Sequence, residues 1–133
     1  MKKMDNKGFS LVELIIVIAI MAVLMGVLAP QFIKYVESSR VQKDLSAVGE
    51  VQNATQIALS VDEVYQAVGT STSVTVSDGS QVTSACTELQ TEIRKAIPDT
   101  ISLSSKAYGS RTATISVDFQ SSTGTFSITT SWS

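Results

Sequence analysis

The sequence predicts an α+β protein: a long N-terminal α-helix, half transmembrane and half amphipathic, packed on a small antiparallel β-sheet. Three observations carry this. Residues 9–33 are an almost unbroken apolar run. Residues 34–68 place apolar side chains at helical spacing. Residues 112–119 and 125–132 alternate apolar and polar, as half-buried strands do.

Composition narrows the function. The 133 residues leave room for one small domain after the apolar run. The single Cys excludes an intrachain disulfide, and the lack of His removes the usual general base near neutral pH and the commonest zinc ligand. With 10 basic and 12 acidic side chains, net −2, the chain is no bulk-charge binder of nucleic acid. From Phe9 onward it is more acidic still, with 7 basic against 11 acidic side chains.

The first element is the apolar run, 25 residues with one charge, Glu13. About 20 helical residues at about 1.5 Å each cross a bilayer core of about 30 Å. A buried core helix would be shorter and amphipathic, whereas this run is apolar all round. Lys2, Lys3 and Lys7 precede it with Asp5. Positive charge stays cytoplasmic, so the N-terminus is expected inside and the remainder outside. Ala29-Pro30 makes a poor signal-peptidase site, so the segment is expected to be retained.

Glu13 is out of place in this run. A carboxylate in lipid costs about 2.5–3.5 kcal/mol on insertion scales. Nothing cationic lies one helical turn away. Two readings stay open: a carboxylate snorkelling to the interface, or one paired with a positive group on another molecule. A cut after Gly8 would create such a group, the α-amino group of Phe9. Pro30 removes one backbone hydrogen bond and Gly26 weakens the helix one turn earlier. A kink at the membrane exit and a segment that melts on assembly are equally compatible with that pair.

Lys7-Gly8-Phe9-Ser10-Leu11-Val12-Glu13-Leu14 resembles the class III signal of type IV pilins and their pseudopilin relatives. The likeness runs from Lys7 to about Ile33, with Pro30 where many family members carry a helix-softening Pro. The resemblance implies a basic leader at 1–8, a transmembrane and filament-core helix at 9–33 and a pilin head at 34–133. It implies cleavage between Gly8 and Phe9 by a prepilin peptidase, and N-methylation of Phe9. It implies pairing of Glu13 with the Phe9 amine of a neighbour, loosening at Pro30 and Gly26, and a homo-oligomeric helical filament raised by pilus assembly machinery. The location implied is a single-pass precursor in the cytoplasmic membrane, then a pilus on the bacterial surface. Physical chemistry agrees: Gly8 leaves the scissile bond uncovered, and a buried charge is tolerable when paired. Pairing across two molecules also fixes their axial register.

The second element continues the helix to about residue 68, for roughly 60 residues in all. Val41, Leu45, Val48, Thr55 and Leu59 share one face, widened by Val51 and Ala58; Lys43, Ser46, Glu50 and Asn53 lie opposite. Arg40 and Asp44 stand at i,i+4 spacing for an ion pair. Ile57 and Val64 fall on the polar face, either to be covered by another subunit or as scattered surface residues.

Residues 69–73 end that helix. Asp78-Gly79 between residues 74–77 and 81–83 reads as a hairpin turn or an irregular loop. Ser84 is the expected N-cap of a short helix over 85–97, striped by Ala85, Leu89, Ile93, Ala96 and Ile97 and stopped by Pro98. Acidic residues stand early in it and Arg94-Lys95 late, as the helix dipole prefers. Residues 101–103 are a candidate third strand beside the two alternating runs, which residues 120–124 join as a hairpin. Helix, loop with a short helix, then sheet is an order that resembles pilin heads. Many Gram-negative pilins close a loop with a Cys pair, and this chain departs from that: Cys86 is alone, read as a small hydrophobe.

No phosphate loop, Cys pair or metalloprotease motif is present. Asp62-Glu63 reads as a solvated turn, and Asp78, Asp99 and Asp118 lack calcium-loop spacing. No enzyme activity, cofactor, metal or specific nucleic acid is expected. The leading function is the structural subunit of a type IV pilus, with adhesion or twitching motility as roles the resemblance implies. A pseudopilin of a type II secretion or competence DNA-uptake system shares the same N-terminus. A membrane-anchored binding module that never polymerises would keep residues 1–8 and be indifferent to Glu13.

Overall fold

The computed structural model describes residues 8–133; Lys2, Lys3, Asp5 and Lys7 lie outside the described residues. The elements are α1 (Leu11–Ala58), α2 (Asp62–Val68), β1 (Ser71–Val76), β2 (Thr83–Ser84), α3 (Thr87–Ala96), β3 (Ala113–Gln120) and β4 (Thr125–Trp132). This is the α+β class expected. The chain divides into two units, Met1–Val36 and Glu37–Ser133.

The described part of the first unit is the start of α1, which stays helical through Gly26 and Pro30. Pro30 has no N–H to give the Gly26 carbonyl four residues back, and its ring crowds that carbonyl. The two residues are thus one local weakness in an otherwise regular helix.

The second unit holds the core. Its sheet has the order β2-β1-β3-β4, antiparallel throughout. Val74 and Val76 of β1 and Ala113, Ile115 and Val117 of β3 are fully buried, and they cluster with Val48, Val51, Ala54 and Ala58 of α1. Leu89 and Ile93 of α3 join the same cluster with no exposure. The two C-terminal strands fall where the alternation put them, and the Asp78-Gly79 segment joins β1 and β2 as a hairpin, Gly79 taking a φ of 66°.

Four expectations are corrected. The long helix does not reach residue 68 unbroken. After Ala58 the hydrogen bonds tighten to three-residue steps, Ser60 N–H to Ile57 O and Val61 N–H to Ala58 O, and the Ser60 hydroxyl donates to the same Ile57 carbonyl. The chain then restarts as α2, with Asp62 and Glu63 in its first turn, where the dipole favours acids. This break re-phases the face, so Val64 is buried at 1 % exposure while Ile57 stays at 69 %.

The short helix begins at Thr87 with Cys86 as N-cap, not at Ala85. Ser84 is drawn into β2, where its hydroxyl donates to Ser73 O and accepts the Cys86 N–H. Residues 101–103 form no strand beyond the single bridge of Ile101 to Ser80. Asp44 does not pair with Arg40; among the described residues the one ion pair is Lys95 with Glu92.

Candidate functional site

The first candidate is the start of α1. Ser10 and Glu13 have the spacing of a helix capping box, and the Ser10 N–H donates to Glu13 Oε2 at 2.9 Å. The Leu14 N–H bonds back to Ser10 O at 3.3 Å, beginning the helix. Glu13 therefore satisfies one of the free N–H groups that every helix start exposes, and sits where the macrodipole favours an anion. The sequence carried this signal in Ser10-Leu11-Val12-Glu13, and the reading of Glu13 as a lone misplaced charge missed it. A carboxylate accepts at several positions, so this one bond leaves Glu13 able to take another donor.

Around it the surface is apolar and uncovered. Every large apolar side chain over residues 9–33 is between 48 % and 85 % exposed, Phe9 the most. The helix is long and apolar enough to cross a membrane, and none of its apolar stretch is buried. A Cβ at Gly8 or at Gly26 would meet nothing within 4 Å. Packing among the described residues explains neither glycine.

The second candidate lies in the head. Four successive backbone N–H groups on the segment before β3 are held by acidic side chains. Leu103 N–H donates to Asp78 Oδ1 at 2.8 Å, Ser104 N–H to Asp44 Oδ1 at 2.9 Å, and Ser105 N–H to Asp44 Oδ2 at 2.8 Å. Lys106 N–H donates to Glu37. Asp44 is wholly buried. Burial pushes its pKa up, but the Ser105 side chain, the Ser104 and Ser105 N–H groups and the Lys43 charge outweigh this and hold the carboxyl below its ordinary value. The signal for this role was an acid on the apolar stripe, at four and seven residues before Val48 and Val51. The arrangement fastens backbone; it presents no reactive group.

Other residues singled out are accounted for by packing. Tyr65 stacks edge-on against Phe119 and Phe126, at 6.2 and 5.4 Å between ring centres. Cys86 packs against the core, with its Sγ 3.5 Å from Glu88 Oε2. Asp99 and Asp118 do not join Asp78, and among the described residues no group of three His, Cys, Asp or Glu is placed to hold a metal ion.

The family comparison falls on the first candidate. Residues 3–29 match the family described as the prokaryotic N-terminal methylation motif. The type IV major fimbrial protein FimA of Dichelobacter nodosus is 37 % identical over 54 residues, 41 % of this chain and 35 % of the relative. The prepilin peptidase-dependent protein A of Clostridium perfringens is 31 % identical over 78 residues, 59 % of this chain and 55 % of the relative. The chain thus spans about a third to about half the length of the relatives it matches. No solved structure matches. The likeness to type IV pilins read from the sequence is shown, and the family match falls on the segment that carried the motif.

Proposed function

We propose that this chain, bearing the N-terminal methylation segment of type IV pilins and their relatives, is the structural subunit of an extracellular type IV pilus. A prepilin peptidase cuts between Gly8 and Phe9 at the cytoplasmic face and methylates the new Phe9 amine. The processed chain waits in the membrane with residues 9–33 in lipid. It then enters a helical filament of identical subunits, where the same residues pack helix against helix. Glu13 meets the Phe9 amine of a neighbour, so that two charges which would be costly alone neutralise each other and set the stagger between subunits. The weakness at Gly26 and Pro30 lets the helix adapt as lipid is exchanged for protein neighbours.

The observation that carries this reading is the apolar half of α1, exposed throughout and headed by one carboxylate inside the methylation motif. A surface this apolar needs lipid or other helices against it. Among the described residues a Cβ at Gly8 would meet nothing within 4 Å, which fits a requirement imposed from outside, by the peptidase.

A second reading keeps the same N-terminus. A relative covering 59 % of this chain is named for its dependence on prepilin peptidase and not for a filament. A pseudopilin, assembled into a short filament of a secretion or DNA-uptake machine, has the same requirement. Intact mass and N-terminal sequencing of the chain from sheared cell-surface material and from membranes separate the two. Chain beginning at methylated Phe9 in the sheared fraction is expected for a pilin. Processed chain confined to membranes favours the pseudopilin, and chain that still carries residues 1–8 in its working state overturns both.

A further inference from the structure

We propose that the end of the head at which α1 enters it is a docking surface for anionic phospholipid headgroups, holding the head against the membrane before assembly. The inference rests on residues 9–33 lying in lipid, and on neither cleavage nor filament formation.

Four cations gather at that end. Arg40 and Lys43 stand on α1 between Glu37 and Asp44, the two acids that hold the backbone of residues 104–106. That fastening brings Lys106 to the same stretch of helix. Arg111 follows where the segment turns into β3, its N–H bonded to Tyr108 O at 2.9 Å. All four cations are exposed. The acids beside them are turned inward: Glu37, Asp44 and Asp78 accept backbone N–H groups of residues 103–106. Among the described residues the one ion pair is on α3, so none of the four cations is paired. Trp132, which pairs with Ala113 at the start of β3, stacks on Tyr108 at this same end. Trp and Tyr settle at the membrane interface, where an apolar ring with a polar tip is at home.

The opposite end is acidic. Asp118 is five residues along β3 from Ala113, about 17 Å at strand spacing. Asp62 and Glu63 open α2, whose Tyr65 packs on Phe119 beside Asp118. All three acids are exposed. From Phe9 onward the chain carries 7 basic against 11 acidic side chains, so as a whole an anionic surface repels it. Screening reverses that locally. The Debye length is about 8 Å at physiological salt, so a surface touching the cationic end feels those cations and little of the far acids.

The occupant follows from where the chain is anchored. Arg40 is seven residues beyond Ile33, so its Cα lies within about 25 Å of the end of the apolar run in any conformation. With that run in lipid, headgroups are in reach from insertion onward, whereas the acidic end of a second copy must first be recruited. Lys and Arg near a membrane span are biased to its cytoplasmic side. Lys34, Arg40 and Lys43 all fall within ten residues of Ile33 on the other flank, against that bias. Clusters of Lys and Arg beside a span bind anionic lipid, which gives these cations a use.

The test holds the full chain, one copy per disc, in lipid nanodiscs of phosphatidylcholine alone or mixed with phosphatidylglycerol. Trp132 is the one Trp and reports on the docking end. Its quenching by acrylamide is expected to fall about twofold or more in the anionic discs, which needs only about half the heads docked, within what four cations supply. Salt at about 1 M, where the Debye length is about 3 Å, should erase the difference. Lys106→Gln with Arg111→Gln should at least halve it, with Trp132 emission in phosphatidylcholine unchanged. Ser121→Glu with Ser122→Glu, the same change in net charge placed beyond the far end of β3, should keep it. No difference between lipids, a difference that ignores salt, or equal loss in both variant pairs overturns the proposal. Shielding that needs several chains per disc, in either lipid, assigns the surface to a second copy and overturns it too. Chain that fails to co-elute with phosphatidylcholine discs overturns the membrane reading of residues 9–33 and this proposal with it; co-elution without a lipid effect overturns this proposal alone.

Discussion

Asp44 shows how much one side chain can organise. Its two oxygens hold two successive N–H groups at 2.9 and 2.8 Å in a fully buried position. Asn in its place offers one carbonyl oxygen and turns an N–H₂ toward the other donor, leaving a buried N–H without a partner. Asp44→Asn should lower the stability of the head by about 1–3 kcal/mol at pH 7, read as a shift in the denaturant midpoint of Trp132 fluorescence. The pH dependence follows from the lowered pKa. The folded chain holds its carboxylate ionised where the unfolded chain has begun to take up protons. The stabilisation is therefore complete above the unfolded value of about 4 and is lost as pH falls through the lower folded value. The unmodified chain should weaken steeply below about pH 4, and Asp44→Asn should weaken less; equal slopes would show that another acid sets this limit. Glu13 makes the opposite case, a carboxylate with little to do for the head. Glu13→Ala should leave membrane insertion, cleavage and head stability intact while surface filaments fall sharply. Normal filament yield from Glu13→Ala would remove the charge-pairing step. Glu13 was legible in the sequence because a charge in an apolar run is conspicuous. Asp44 was not, because its partners are backbone N–H groups 60 and 61 residues away.

Elements were legible where a period ran long enough to leave one choice. β3 and β4 alternate over eight residues each, and both stand where the alternation put them. The break after Ala58 was hidden, since it depends on Ser60 closing a tight turn, with no Gly or Pro to mark it. The segment over 101–111 was hidden for a related reason. It forms no regular element, and its backbone is satisfied by Asp78, Asp44 and Glu37 in turn. Gly109 completes this fastening. Its N–H donates to Ser105 O at 2.8 Å, and a Cβ there would lie 2.8 Å from that oxygen and 3.1 Å from the Leu103 carbonyl. Those are backbone atoms held by the carboxylates, so they cannot swing aside as a flexible side chain would. Gly109→Ala should therefore cost about 1–3 kcal/mol, the range for forcing atoms into a packed site. It should also loosen the neighbouring stack of Tyr108 on Trp132, now 4.2 Å between ring centres, seen as a red-shifted Trp132 emission. A Gly109→Ala chain as stable as the parent would mean that the segment shifts freely and is not fixed by the carboxylates.

At the scale of the whole molecule, stability and exposure are separated along the chain. Among the described residues the buried ones begin at Asp44, and all of them lie in the unit Glu37–Ser133. The large apolar side chains of residues 9–33 are all at least 48 % exposed. The sequence displayed this division, since apolar residues without periodicity gave way to an amphipathic pattern near Lys34. The pairing of β1 with β3 that closes the core was not displayed, because Ser71–Val76 also reads as loop. If the head draws nothing from the apolar half, a chain starting at Lys34 should stay soluble without detergent and unfold in one cooperative transition. Its denaturant midpoint should equal that of the full chain in detergent, because the same core and the same three carboxylates are retained. The full chain without detergent should aggregate, since about twenty apolar residues would face water. Starting at Lys34 keeps Glu37 and Asp44 inside the helix, so a loss of cooperativity could not be blamed on a missing fastening. A fragment that failed to unfold cooperatively would mean that the head depends on the apolar helix, and that folding and assembly are one event in this chain.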